Sequence, residues 1–92
     1  MYEIVAMADS NVYKFRINKE TGEVLFLGNE KFVKLSREAS EDDTTMAGKV
    51  NYQLVMSSNT VYLLNINTGT IWYLKSRGVT HANDRFVLVR EK

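Results

Sequence analysis

The sequence predicts an all-β protein made of two four-stranded antiparallel meanders, and three observations predict it. Apolar and polar residues alternate at period two over much of the chain, the spacing of a half-buried strand. Turn-forming clusters separate these runs at short intervals, and none of the 92 residues is proline, which suits a chain that is mostly strand. A hairpin pattern also occurs twice. Val12-Tyr13-Lys14-Phe15-Arg16-Ile17-Asn18 leads through Lys19-Glu20-Thr21-Gly22 into Glu23-Val24-Leu25-Phe26-Leu27. Val61-Tyr62-Leu63-Leu64-Asn65-Ile66-Asn67 leads through Thr68-Gly69 into Thr70-Ile71-Trp72-Tyr73-Leu74.

In chain order, Tyr2 to Ala8 is apolar on both faces, as in a strand covered on two sides. Asp9-Ser10-Asn11 is a turn cluster. From Val12 to Ile17 the alternation is clean: Tyr13, Phe15 and Ile17 share one face, and Lys14 and Arg16 turn to water. Asn18 to Gly22 is the hairpin loop, with Gly22 in the left-handed conformation such loops need. Val24 to Leu27 returns, Gly28-Asn29-Glu30 turns, and Lys31 to Leu35 is a fourth strand whose lysines suit a sheet edge. Residues 1–37 thus make the first meander. Residues 38–49, with Glu38, Glu41, Asp42 and Asp43 and no period-two pattern, read as a mobile acidic linker. Ser36 followed by Glu38 and Ala39 is also compatible with one helical turn.

Residues 50–92 make the second meander. It runs through Tyr52 to Met56, the turn Ser57-Ser58-Asn59, the second hairpin, a longer loop over Lys75 to Asp84, and a last strand from Arg85 to Arg90. The two halves match at nearly constant offsets: Tyr2 with Tyr52 (50 apart), Asn11 with Asn59 (48), Val12-Tyr13 with Val61-Tyr62 (49), Thr21-Gly22 with Thr68-Gly69 and Leu27 with Leu74 (47). The second loop reads as the shorter, because Ile66-Asn67 runs straight into Thr68-Gly69 whereas Lys19 and Glu20 separate Ile17-Asn18 from Thr21-Gly22. On that reading, a β-carbon at Gly69 is tolerated less well than one at Gly22.

The pattern Val-Tyr-x-x-x-Ile-Asn-(x-x)-Thr-Gly-x-[Val/Ile]-x-x-Leu resembles the blade repeat of quinoprotein-type β-propellers, in which a Thr-Gly hairpin joins the middle strands of a four-stranded blade. The resemblance implies two propeller-like blades; a compact β-sandwich is the other arrangement open to two four-stranded meanders. The family's docking tryptophan has its counterpart near Trp72, with Leu25 at that place in the first copy. Nothing matches the family's quinone or calcium ligands, so the resemblance carries over no active site.

Composition narrows the function. A net charge of +1 does not by itself call for nucleic acid or a membrane surface, no apolar run approaches a membrane span, and no secretory leader is legible. A cytoplasmic location is the expectation. The absence of cysteine rules out disulfides and thiolate metal sites. His81 is the sole histidine, and no nucleophile motif accompanies it. Glu41-Asp42-Asp43 lacks the alternating ligands and the glycine of a calcium loop. The sequence therefore assigns no catalytic residue, cofactor or metal.

What remains is binding. Both halves contain strands apolar on both faces, and two stacked sheets cover only one face of each, so self-association is the simplest cover. Residues 1–46 carry 6 basic and 9 acidic side chains, and residues 47–92 carry 6 basic and 2 acidic, an asymmetry that favours head-to-tail contact. The expected function is a non-catalytic binding or assembly module, a homo-oligomer that contacts another protein. Two alternatives stand beside it: a small-molecule or sugar binder with sites between the halves, and a single-stranded nucleic-acid binder. The candidate contact residues are Trp72, Tyr73, Arg77, His81 and Arg85.

Overall fold

A computed structural model describes residues 2–6, 14–28, 31–56, 60–75 and 84–90. The predicted Asp9-Ser10-Asn11 and Ser57-Ser58-Asn59 turns, Val12 and Tyr13, and the loop bearing Arg77, Gly78 and His81 lie outside these residues. The chain is all-β. Its strands are β1 (Tyr2–Ala6), β2 (Lys14–Asn18), β3 (Val24–Gly28), β4 (Lys31–Lys34), β5 (Ser36–Arg37), β6 (Tyr52–Met56), β7 (Val61–Asn65), β8 (Ile71–Lys75) and β9 (Arg85–Leu88). Among the described residues no helix is long and apolar enough to cross a membrane.

The first sheet is the expected antiparallel meander, in the order β1-β2-β3-β4, with lysine-bearing β4 at an edge. The second has the order β5-β9-β8-β7-β6 and is five-stranded, not four-stranded. Its extra strand comes from the end of the first half. Ser36 and Arg37 pair in parallel with Arg85 and Phe86, and Glu38 continues the contact by donating its N–H to the Phe86 carbonyl at 2.9 Å. Ser36 and Arg37 therefore form a short β-strand, and no helical turn follows at Glu38 and Ala39. The strand supplies hydrogen-bond partners to an edge that would otherwise be open.

The two sheets stack over one core. Phe15, Ile17, Val24 and Phe26 of the first sheet meet Tyr52, Leu54, Val61, Leu63, Trp72 and Phe86 of the second. Alternation decides these faces: Phe15 and Ile17 are 1% and 0% exposed, and the residue between them, Arg16, faces the other way. Burying each large side chain contributes roughly 1.5–3 kcal/mol. β1 departs from the expectation of cover on both sides. It is an edge strand, and Tyr2 and Ile4 on its outer face are 64% and 59% exposed.

Residues 38–49 are not a free linker. The Asp43 carboxylate pairs with Arg37 at 3.1 Å, accepts from Asn65 Nδ2 at 3.0 Å and accepts the Tyr52 hydroxyl. Asn65 Nδ2 also donates to the Thr44 carbonyl at 2.9 Å, and Asn51 exchanges bonds with both the N–H and the carbonyl of Met46. The segment has charged composition but buried partners, which composition does not reveal.

The hairpin loops are equal in length. Asn18 N–H donates to the Glu23 carbonyl and Gly22 N–H to the Asn18 carbonyl; Asn65 N–H donates to the Thr70 carbonyl and Gly69 N–H to the Asn65 carbonyl. β7 ends at Asn65, not at Asn67, so Ile66 and Asn67 belong to the loop. The expectation of a shorter second loop is thereby corrected.

Candidate functional site

The outer face of the second sheet is largely apolar among the described residues. Register places Val55, Tyr62, Tyr73 and Val87 side by side across β6, β7, β8 and β9. A second row holds Gln53, Leu64 and Ile71, with Val89 N–H bonded to the Ile71 carbonyl at 2.9 Å. Val55, Ile71 and Val89 are 41%, 38% and 48% exposed. The β-branched and aromatic residues that make these good strands have no second layer above them here. Among the described residues of its strands, the charges on the face are Lys75 and Arg85, paired at one end of β8 and β9. Arg85 Nε is buried without a hydrogen-bond partner. An open depression of about 510 Å³ runs along one side of this face, over Tyr62, Tyr73, Val87 and Arg90.

The outer face of the first sheet differs in chemistry. Ile4, Arg16, Leu25 and Lys34 lie across its four strands in register. Arg16 lies over the rings of Tyr2 and Phe32, at 5.0 and 4.5 Å from the centroids, and its Nε has no hydrogen-bond partner. Lys34 reaches Glu23 at 3.7 Å. The face is apolar, aromatic and basic. A cavity of about 700 Å³ at its end is lined by Tyr2, Asn18, Gly22, Lys34 and Arg37.

The predicted contact residues divide. Tyr73 and Arg85 share the outer face of the second sheet. Trp72 does not join them. As the neighbour of Tyr73 on one strand it points to the opposite side, is 0% exposed and donates its indole N–H to the Glu38 carbonyl at 2.9 Å. Its role is in the core: Arg37 stacks 5.0 Å from its ring, and Tyr52 lies 6.4 Å away. Arg77 and His81 lie outside the described residues.

Sequence reasoning missed the polar cluster that holds the sheets together at the loop end. Asn51 and Asn65 are each 0% exposed. Asn51 Nδ2 donates to the Glu20 carbonyl at 2.9 Å, and the Lys19 carbonyl accepts from the backbone of both Asn51 and Tyr52. Burial pushes the Tyr52 phenol up to about 12, and its hydrogen bond to Asp43 acts in the same direction. These groups are saturated by one another, so the cluster is structural. Among the described residues no three histidine, cysteine, aspartate or glutamate side chains gather in a way that could hold a metal. Compared with known families, curated proteins and solved structures, the chain matches none.

Proposed function

We propose that the protein is a non-catalytic assembly module that works as a homo-oligomer and presents a macromolecular binding surface. One observation carries this reading: on the outer face of the second sheet Val55, Tyr62, Tyr73 and Val87 make an unbroken apolar row across four strands, with no acidic side chain among the face's described residues. Apolar surface of this kind marks contact with another protein surface more often than it marks solvent. Light scattering across the micromolar range tests the reading, and the expected result is a mass above that of one chain. A monomer at high micromolar concentration overturns it.

A second reading, single-stranded nucleic-acid binding, is favoured by the first sheet's outer face, where Lys14, Arg16 and Lys34 stand among Tyr2 and Phe32. Cations and rings interleaved in this way track a backbone and stack bases. Such binding falls steeply with added salt as counterions are released. A low-salt fluorescence titration with oligonucleotide that gives no signal removes it.

A further inference from the structure

The two outer faces are opposite sides of one repeated hairpin. Laying the first hairpin on the second, Asn18 on Asn65, puts Tyr2 at the place of Tyr52 and Arg16 at that of Leu63. The same register puts Leu25 at the place of Trp72 and Phe32 at that of Phe86. In the second sheet these positions are core, 0–1% exposed. In the first they form the outer face, with Tyr2 64% and Phe32 38% exposed. The converse also holds: core residues Phe15 and Ile17 of the first sheet occupy the places of Tyr62 and Leu64, on the second sheet's outer face. The sheets therefore stack front to back, each using the face its neighbour leaves open. A two-fold sandwich would instead bury matching faces.

We propose, resting on the assembly reading above, that a second copy of this chain docks by continuing that stack. The outer face of the second sheet in one copy covers the outer face of the first sheet in the next. The internal joint is the template, since it already joins the same two kinds of face within one chain. Such a contact is heterologous: the two patches differ, and each copy carries one of each.

Complementation tests this in the full chain. Ile4→Asp spoils the first sheet's outer face, and Val55→Asp spoils that of the second; both residues are exposed, so the core is untouched. A cooperative thermal melt checks that each variant folds, and Ile71→Asp replaces Val55→Asp if the latter does not. Each variant alone is expected at the mass of one chain, and their equimolar mixture at twice that mass and no more, because one intact pair of faces remains. Wild-type protein that is itself monomeric overturns both this inference and the assembly reading. If wild type associates but the mixture stays monomeric, or if either variant keeps the wild-type mass, the front-to-back joint alone falls.

Discussion

The two hairpin loops are alike in their backbone bonds and caps and unlike in their surroundings. Asn18 and Asn65 each accept through Oδ1 from the N–H groups two and three residues on. Thr21 and Thr68 each cap the N–H two residues on, at 3.3 Å. Gly22 and Gly69 have φ of 80° and 76°. Yet Gly22 is buried and Gly69 exposed. The first loop lies on the second sheet, where Arg37 donates to the Gly22 carbonyl at 3.2 Å and Asn51 to that of Glu20. Local chemistry forms a turn, and what packs over the turn sets the cost of changing it.

The sharpest break in this likeness is at the glycines. A β-carbon on Gly22 would meet the Tyr52 ring at 2.9 Å and the Arg37 guanidinium, whereas one on Gly69 meets nothing within 4 Å. Both substitutions bear the strain of positive φ, on the order of 1–3 kcal/mol. Gly22→Val adds a clash with a ring held in the core, typically about 1–3 kcal/mol more. Gly22→Val should therefore destabilise well beyond Gly69→Val, the reverse of the order that apparent loop length implies. Urea denaturation of the two variants checks this, and equal midpoints would show that the packing over Gly22 yields freely.

The asparagines give a smaller contrast. Asn18→Ala removes a loop cap, at about 1 kcal/mol. Asn65→Ala removes the same cap and also the Nδ2 donor, itself on a fully buried residue, that bonds the half-buried Asp43 carboxylate and the Thr44 carbonyl. About 2–3 kcal/mol is expected there. Thermal melts of both variants measure the difference. A like loss for both would mean that Asp43 and Thr44 rebond elsewhere.

Much of this was open to sequence reading where burial follows alternation. Phe15 and Ile17 are core because Lys14 and Arg16 separate them with charge, and the hairpins declare themselves through Thr-Gly. Alternation gives no choice on β8, where Ile71, Trp72, Tyr73 and Leu74 are apolar on both faces. Trp72 went to the core and Tyr73 outward because the facing sheet, a distant stretch of chain, packs on one side only. The anchoring of the acidic segment is illegible in the sequence for a related reason. Asp43 is bound by Arg37, Tyr52 and Asn65, partners 6, 9 and 22 residues away, and local composition contains none of them.

Tyr52 offers the most specific effect, because its ring covers Gly22 while its hydroxyl binds Asp43. Tyr52→Phe keeps the ring, so the first loop retains its cover. At neutral pH the variant should lose about 1.5–3 kcal/mol, the range of a hydrogen bond to a charged acceptor. The pH dependence separates hydroxyl from ring. The phenol ionises at about 12 in the folded chain against an ordinary 10, so folding favours the protonated form. That contribution is complete below pH 10 and is lost as pH rises from 10 through 12, where the unfolded chain gains by ionising and the folded chain does not. Phenylalanine has no such proton. The stability gap between wild type and Tyr52→Phe should therefore narrow across that window, as followed by urea denaturation at several alkaline pH values. A gap that stays constant would mean the Tyr52 hydroxyl ionises as readily in the folded chain as in the unfolded one, and that Asp43 and burial do not hold its proton.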